Sequence, residues 1–151
     1  MKGWVSMARI SSEERDLIEN FLFLPMALKV LQQDYESIQV GNFKLKKPYI
    51  QLLEHAMTKL QKDLFQIRQE MRKARFQAIK LEADEDFTLF LFICKGFEEQ
   101  HNYFNMKIKQ IVQQHFTYYL YNAAEEINLS FHDLTKKRDG SSSSSSATEI
   151  S

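Results

Sequence analysis

Glycine and proline are scarce in this chain. Of its 151 residues, four are glycine and two are proline. Sandwiches and barrels of β-strands need many turns, so this scarcity favours long helices. The glycines are also dispersed, which excludes a glycine-rich phosphate-binding loop, and no Gly-x-Ser-x-Gly element occurs. The sequence therefore indicates a helical protein that is not an enzyme and carries no cofactor.

Cysteine is almost absent as well. Cys94 is the single cysteine, which excludes a disulfide framework and a cysteine-rich zinc site within one chain. It lies in an apolar segment, where a reactive thiolate would be costly. A lone buried thiol suits a reducing compartment, and the first residues lack the apolar core of a secretory signal. We therefore expect a cytoplasmic protein.

An excess of charge and a long hydrophobic run are both missing. Lysine and arginine number 20, as do aspartate and glutamate, so the net charge is zero, unlike that of a typical nucleic-acid binder. The densest apolar run, Phe87 to Cys94, meets Lys95 far short of the about 20 residues that a membrane helix needs. No membrane partner is expected.

Apolar residues at steps of three and four predict a first helix that begins near Ser12. Ser11 or Ser12 can cap it, and acidic residues follow at once, as a helix N-terminus prefers. Pro25 interrupts the pattern and predicts a kink or a division into two helices. Gly41 and Asn42 indicate its end.

A second helix is predicted from about Pro48 to Phe76. Its apolar residues form two heptad series with alternating steps of four and three, namely Leu53, Leu60, Ile67, Ala74 and Met57, Leu64, Met71, Ala78. This seam can face other helices of the same chain or a second chain in a homodimer. We favour the bundle within one chain, because the other segments also carry apolar faces that need cover.

The stretch from residue 76 to 93 has two interpretations. A β-hairpin would pair Phe76–Glu82 with Phe87–Ile93, whereas a helix would begin near Asp84 or Asp86. We favour the helix, because acids suit its N-terminus and apolar residues continue in threes and fours beyond the run. The predicted fold is therefore all-α: a three- to four-helix bundle over residues 12–128, with an irregular leader (1–11) and a disordered serine-rich tail (129–151).

Glu98 and His101 have the Glu-x-x-His spacing of di-iron bundles, which place both side chains on one helix face. Those proteins need a second copy of the motif, and this sequence has one. We interpret the pair as a surface glutamate beside a histidine, and predict no metal.

The aromatic stretch from Phe87 to Phe104 has apolar side chains on all sides of its predicted helix. Such a helix must be buried on most sides. It is either the central helix of the bundle or a helix that partly meets a protein partner. The candidate interaction residues are Phe92, Phe97, Tyr103 and Phe104.

The second helix also carries a basic face, formed by Lys59, Lys62, Arg72 and Lys73. Acidic residues are interleaved along the same arc, at Glu54, Asp63 and Glu70. A surface dedicated to phosphates would avoid those acids. We interpret it as a solvated face, and keep a DNA-associated transcriptional regulator that uses residues 48–76 as the alternative function.

Three segments resemble small uncharacterised Bacillus-type proteins of the YhjD kind. They are Met7-Ala-Arg-Ile10 with Asp16-Leu-Ile18 and Leu24-Pro25, then Phe43-Lys-Leu-Lys-Lys-Pro-Tyr-Ile50, then Asp86-Phe-Thr88 with Lys95-Gly-Phe-Glu-Glu-Gln-His101-Asn-Tyr-Phe104. The resemblance covers roughly residues 7–121 and supports Met7 as the native start. It implies a helical intracellular protein of a spore-forming bacterium and brings no catalytic residues.

The predicted function is a non-enzymatic protein-interaction or structural module of a bacterial cell. A link to sporulation is an open expectation from the resemblance. The partner is a protein that the sequence does not identify, or a second copy of the chain.

Overall fold

The computed structural model describes residues 10–141, with side chains described through residue 136. It contains three helices and one three-stranded sheet, so the protein is mixed α and β and the prediction of an all-α bundle is wrong. The elements in chain order are α1 (Ser12–Val40), α2 (Lys46–Ala74), β1 (Gln77–Ala83), β2 (Phe87–Cys94), β3 (Phe97–Phe104) and α3 (Asn105–Ser141).

Helix α1 begins with a capping box. The Glu14 amide donates to Ser11 Oγ at 3.1 Å, and the Ser11 amide donates to Glu14 Oε1 at 2.9 Å. These two bonds satisfy amides that the first turn would otherwise leave without acceptors. Pro25 lies inside the helix, so the segment forms one helix and not two.

Helix α2 turns its heptad stripe toward the other helices of the same chain. Leu53, Leu60, Leu64 and Met71 of that stripe are all buried. These four residues of the stripe are therefore used within the chain. After α2, Arg75 adopts a left-handed conformation with φ of 60°, which reverses the chain toward β1.

The segment Phe87–Phe104, predicted as the central helix, instead forms β2, a turn and β3. The sheet is antiparallel with strand order β1-β2-β3. The β-hairpin that the sequence left as an alternative does form, with Gln77 opposite Ile93. Lys95 and Gly96 have φ values of 56° and 81°, which is the signature of a two-residue type I′ turn between β2 and β3.

Strand β1 contains one irregularity. Lys80 lies opposite Phe90, whereas Glu82 lies opposite Leu89. Leu81 is therefore an extra residue without a partner in β2, which is the definition of a β-bulge. The bulge shifts the register in the half of β1 nearest the turn to β2.

Two hydrophobic clusters form the core. The first lies between the three helices and contains Leu24, Ala27, Leu31, Leu53, Ala56, Leu60, Leu64, Tyr119 and Ala123. The second joins α1 and the end of α2 to one face of the sheet and contains Ile10, Ile18, Phe23, Met71, Phe76, Phe90, Phe92 and Cys94. The sheet thus caps one end of the helical layer.

Helix α3 extends beyond the predicted end of the domain at residue 128. It continues to Ser141, so helix occupies residues 129–141 of the segment predicted as a disordered tail. The rest of that tail and most of the predicted leader lie outside the described residues. Across residues 10–141, no helix is both long enough and apolar enough to cross a membrane.

Candidate interaction surface

Strand β2 divides its side chains between two environments. Thr88, Phe90, Phe92 and Cys94 are buried and face the helices. Successive side chains of a strand point to opposite sides, so the remaining four residues of β2 face away. With their cross-strand neighbours they make a surface that we call the outer sheet face: Ile79, Phe87, Leu89, Leu91, Ile93 and Phe104.

The outer sheet face is apolar and uncovered within the described part of the chain. Ile79, Phe87 and Phe104 are 44%, 42% and 50% exposed, and the three other members are partly exposed. None of the six belongs to either hydrophobic cluster. The rings of Phe87 and Phe104 stack at 5.1 Å between centroids. Contiguous apolar surface of this kind is typical of sites where another molecule binds.

Polar side chains surround this apolar centre. The register places them on the same side of the sheet, opposite Leu89, Leu91 and Ile93; they are Gln77, Glu82, Glu98, Gln100 and Asn102. The charged members are both glutamates. An apolar centre with a polar margin is the usual anatomy of a protein–protein interface, and here the margin is acidic.

The turn between β1 and β2 fixes one end of the surface. Asp84 Oδ1 accepts hydrogen bonds from the amides of Asp86 and Phe87, both at 2.8 Å. These donors stabilise the carboxylate and hold the pKa of Asp84 below its usual value. An aspartate that bonds to amides two and three residues ahead is a common turn device, so the local sequence explains the turn.

Asn105, the first residue of α3, fastens the same turn to the helix. Its amide side chain donates to the carbonyl oxygens of Asp84 and Glu85, at 2.9 and 3.1 Å, and accepts from Thr88 Oγ1 at 2.7 Å. Its backbone amide donates to the Asp86 carbonyl at 2.7 Å. A cavity of about 330 Å³ opens beside this turn, between Glu82, Ala83, Asp84, Phe87, Leu89 and Asn102. The surface therefore has a firmly held end with a concave edge.

The opposite side of the sheet carries a polar group centred on His101. Arg15 Nη2 lies 3.1 Å from His101 Nδ1, and His101 Nε2 lies 3.0 Å from Glu99 Oε1. A guanidinium can only donate, so Nδ1 accepts from Arg15 and the proton is on Nε2. The ring also stacks on Phe92 at 4.3 Å. The Nδ1 bond thus joins the sheet to α1, and the Nε2 bond to Glu99 of the same strand holds the ring in place.

Two further contacts attach the sheet to α1. The Tyr103 hydroxyl donates to Glu19 Oε2 at 2.5 Å. Burial is the main cause that raises the pKa of Tyr103, and the hydrogen bond to Glu19 raises it further. Lys95 Nζ lies 2.7 Å from Glu14 Oε2. The lysine lowers the pKa of Glu14 mainly through this hydrogen bond. Side chains on the inner side of the sheet are therefore used to hold the sheet against α1.

The Glu-x-x-His pair is separated by the strand. Glu98 and His101 were predicted to share a helix face, but residues three apart on β3 point to opposite sides. Glu98 lies on the outer side, opposite Ile93, and His101 contacts α1. No cluster of three or more His, Cys, Asp or Glu side chains suited to a metal occurs between residues 10 and 136.

The four predicted interaction residues are divided by burial. Phe92 is fully buried and Tyr103 is partly buried against α1, whereas Phe97 and Phe104 are 42% and 50% exposed. Only Phe104 belongs to the outer sheet face. The sequence reasoning missed the other five members, Ile79, Phe87, Leu89, Leu91 and Ile93. The signal for them was the alternation of Ile79-Lys80-Leu81-Glu82, which pointed to a strand.

The predicted basic face of α2 is interrupted. Lys59 forms an ion pair with Asp63 at 3.2 Å, and Asp63 also accepts from the Tyr119 hydroxyl at 2.6 Å. Lys62 is exposed, and Arg72 and Lys73 are exposed in the last turn of the helix. Ten residues of helix separate Lys62 from Arg72, or about 15 Å. The four residues therefore do not form one continuous cationic surface.

Cys94 has no features of a catalytic nucleophile. Its side chain is buried in the second cluster, and burial raises the pKa of the thiol. A protonated and inaccessible thiol is a poor nucleophile. It acts as a small apolar side chain beneath the sheet.

Comparison with known proteins gives a consistent family. A sequence model described as "YhjD protein" matches residues 9–124. The chain is also 43% identical, over 115 residues, to a protein of Bacillus subtilis (strain 168) named "Uncharacterized protein YhjD". That alignment covers 76% of this chain and 96% of the relative. No solved structure matches the chain.

Proposed function

The chain belongs to the YhjD protein family, and from this premise and the geometry of its sheet we propose that it is a non-enzymatic protein-interaction module. The outer sheet face is the binding surface. The observation that carries the proposal is the row of apolar side chains on the outer side of β2, which none of the described helices covers.

The physical reason is the cost of hydrated apolar surface. Each Å² of apolar surface removed from water contributes about 25 cal/mol to a complex before the costs of association are subtracted. Phe87 and Phe104 lie at the firmly held end of the face, so a partner binding there meets surface that is already ordered. Ordering costs on binding are then small. The polar margin supplies hydrogen-bonding groups and selects against acidic partners.

The inner side of the sheet supports this division of roles. His101, Tyr103 and Lys95 each bond to α1, and their side chains are used to hold the sheet in place. The outer side has no comparable set of contacts to helices among the described residues. A stable platform with one uncovered face is suited to recognition.

The test is a comparison of partner binding by the intact chain and by two variants. In the native host, the wild-type chain and Leu91→Lys are used to capture binding proteins, and any protein lost with the variant is purified and titrated directly. We expect Leu91→Lys to weaken that binding at least about tenfold, since burying a lysine in the apolar centre of an interface removes its charge from water.

Gln66→Lys is the matched control. It adds the same charge at an exposed position of α2, away from the sheet, and should leave binding unchanged. Equal binding by wild type, Leu91→Lys and Gln66→Lys would refute the proposal.

A DNA-associated regulator that uses the basic face of α2 is the second candidate. It draws less support, because Asp63 neutralises Lys59 and the exposed bases are about 15 Å apart. A gel shift with generic duplex DNA at low salt tests it. Retardation that weakens steeply with salt and is lost with Lys62→Ala would favour this function over the first.

We also propose a cytoplasmic location, supported by the buried free thiol of Cys94. Fractionation of host cells with an antibody to the chain tests this, and recovery outside the cytoplasmic fraction would contradict it.

A further inference from the structure

We propose that the outer sheet face binds the C-terminal part of α3 from a second copy of this chain. This inference rests on the proposed function and identifies its partner. We call residues 128–141 of α3 the overhang. The protein would then be a two-fold dimer in which each overhang crosses the other chain's sheet.

The overhang continues the bundle-facing stripe of α3 without the bundle. Along this stripe Ala123 is buried, Ile127 is half-buried, and Phe131 and Leu134 are 67% and 63% exposed. Steps of four and three keep these residues on one side of the helix. Phe131 and Leu134 therefore lie on the same side of α3 as Ala123, but the other described helices leave their side chains largely exposed.

The overhang cannot reach the sheet of its own chain. Helix α3 starts at the sheet, where Asn105 bonds to the β1–β2 turn. Phe131 lies 26 residues further along one continuous helix, or about 39 Å from that end at 1.5 Å per residue. The apolar stripe and the outer sheet face are therefore at opposite ends of the molecule, and contact between them requires two chains.

The two surfaces match in length. The 14 residues of the overhang extend about 21 Å as a helix. Strand β2, with eight residues, extends about 27 Å. A helix of this length laid over a sheet covers most of the central strand, and a helix packed on a sheet is one of the few stable ways to cover an apolar sheet face.

Charge favours the overhang over a second sheet. The outer face is bordered by Glu82 and Glu98, and the turn at its end adds Asp84, Glu85 and Asp86. Two such faces packed together would bring like charges into one interface, which disfavours association. Among its described side chains the overhang instead carries one lysine, Lys136, and one aspartate, Asp133, so it brings no excess of negative charge to this acidic face.

The two contacts of a two-fold dimer together bury the area of a stable interface, and one contact alone buries about half of it. Phe87, Phe104 and Phe131 each expose roughly 100 Å², and with the smaller apolar side chains one overhang–sheet contact covers roughly 600 Å². Stable interfaces bury about 1,200–2,000 Å² in total. Two symmetric contacts reach that range. The family model matches residues 9–124, so the overhang lies outside the matched region.

Sedimentation of the full chain tests the proposal with two defective variants. One is the double variant Phe131→Ser with Leu134→Ser, and the other is Leu91→Lys. We expect wild type to sediment with twice the 17.9 kDa chain mass and each variant alone with the mass of one chain. An equimolar mixture of the two variants restores one intact contact, and should recover two-chain mass with weaker affinity than wild type.

Leu129→Ser is the matched control. Leu129 is also on the overhang and is 62% exposed, but at about 100° per residue it lies on the opposite side of the helix from Phe131 and Leu134. The control should remain a dimer. Its dissociation together with the stripe variant would show a non-specific effect of the overhang and would overturn the proposal.

Three other results would also overturn it. A wild-type chain that sediments as one chain up to millimolar concentration excludes the second copy. A stripe variant that stays dimeric points to sheet packed on sheet. A variant mixture that fails to associate would show that the overhang does not bind the sheet. In each case the capture comparison with Leu91→Lys still decides the proposed function, because it scores any protein that binds the outer sheet face and not only a second copy of the chain.

Discussion

Phe90 and Leu91 are neighbours in sequence that face opposite sides of the sheet, and their replacement by alanine should have very different costs. Phe90 is 1% exposed and packs edge-to-face with Phe23 and Tyr103, at 6.0 and 5.6 Å between ring centroids. Phe→Ala in a core costs about 3–5 kcal/mol. Edge-to-face pairs add about 0.5–1.5 kcal/mol beyond burial. Since the measured range already contains such contacts, we expect Phe90→Ala to lie near its upper end, at about 4–5 kcal/mol.

Leu91→Ala should cost far less. Leu91 is only partly buried and belongs to neither core cluster. Its neighbours on the same face are Ile79 and Gln100, and cross-strand pairs contribute about 0.2–1 kcal/mol each. We therefore expect a cost below about 1.5 kcal/mol in the isolated chain.

The assay is equilibrium unfolding in urea, followed by far-UV circular dichroism at concentrations where the wild-type chain is monomeric. Phe97→Ala is the third member of the set. Phe97 is 42% exposed, whereas a helix over this segment would place it on the face of Phe90 and make both costly. Equal costs for Phe90→Ala and Leu91→Ala, or a cost for Phe97→Ala as large as that for Phe90→Ala, would refute the two-sided sheet.

Three more predictions concern single sites. Gly96→Ala should lower the free energy of unfolding by about 1–2 kcal/mol, measured by thermal unfolding. The space around Gly96 is open, but its φ of 81° is strained for alanine. Asn105→Ala should cost about 1–3 kcal/mol, since the Thr88 hydroxyl loses its acceptor, whereas the exposed Asn102→Ala should be neutral. Burial lowers the pKa of His115. As pH falls below about 6.5, His115 is therefore protonated in the unfolded chain before it is protonated in the folded chain. The free energy of unfolding should then decrease as pH falls through the lower folded pKa, and His115→Gln should lose that part of the slope.

The helices before residue 76 were predictable because their signals are local. Ser11 with Glu14 gives a capping box, and the seam from Leu53 to Met71 has the period of a helix. Both appear in the structure with bounds within two residues of those predicted. Local chemistry decided these elements, and tertiary contacts agreed with it.

The sheet was missed because β2 is apolar on both sides. A strand normally shows alternation, but Phe87–Cys94 has apolar residues facing both the core and the outside, so its period is hidden. The spacing of Phe90, Phe97 and Phe104 is also that of residues on one face of a helix, and this favoured the wrong assignment. The deciding signal was the Lys95-Gly96 turn, which is weaker than Asn-Gly because lysine adopts the left-handed conformation less readily.

The candidate surface could not be found without the strand assignment. A helix would have placed Phe92 and Phe104 in one aromatic set, whereas the strands separate a buried Phe92 from an exposed Phe104. For the same reason Glu98 and His101 were taken as one pair, although the sheet lies between their side chains. Assigning the wrong period to one segment changed which residues face outward.

The bulge at Leu81 has a consequence for how chains can meet. A three-stranded sheet has two open edges, and an open edge with regular unpaired amides and carbonyls is a template for adding further strands without limit. In β1 the extra residue breaks that regular row, and the charged Lys80 and Glu82 stand on either side of it. The β1 edge is thus a poor template for fibril growth.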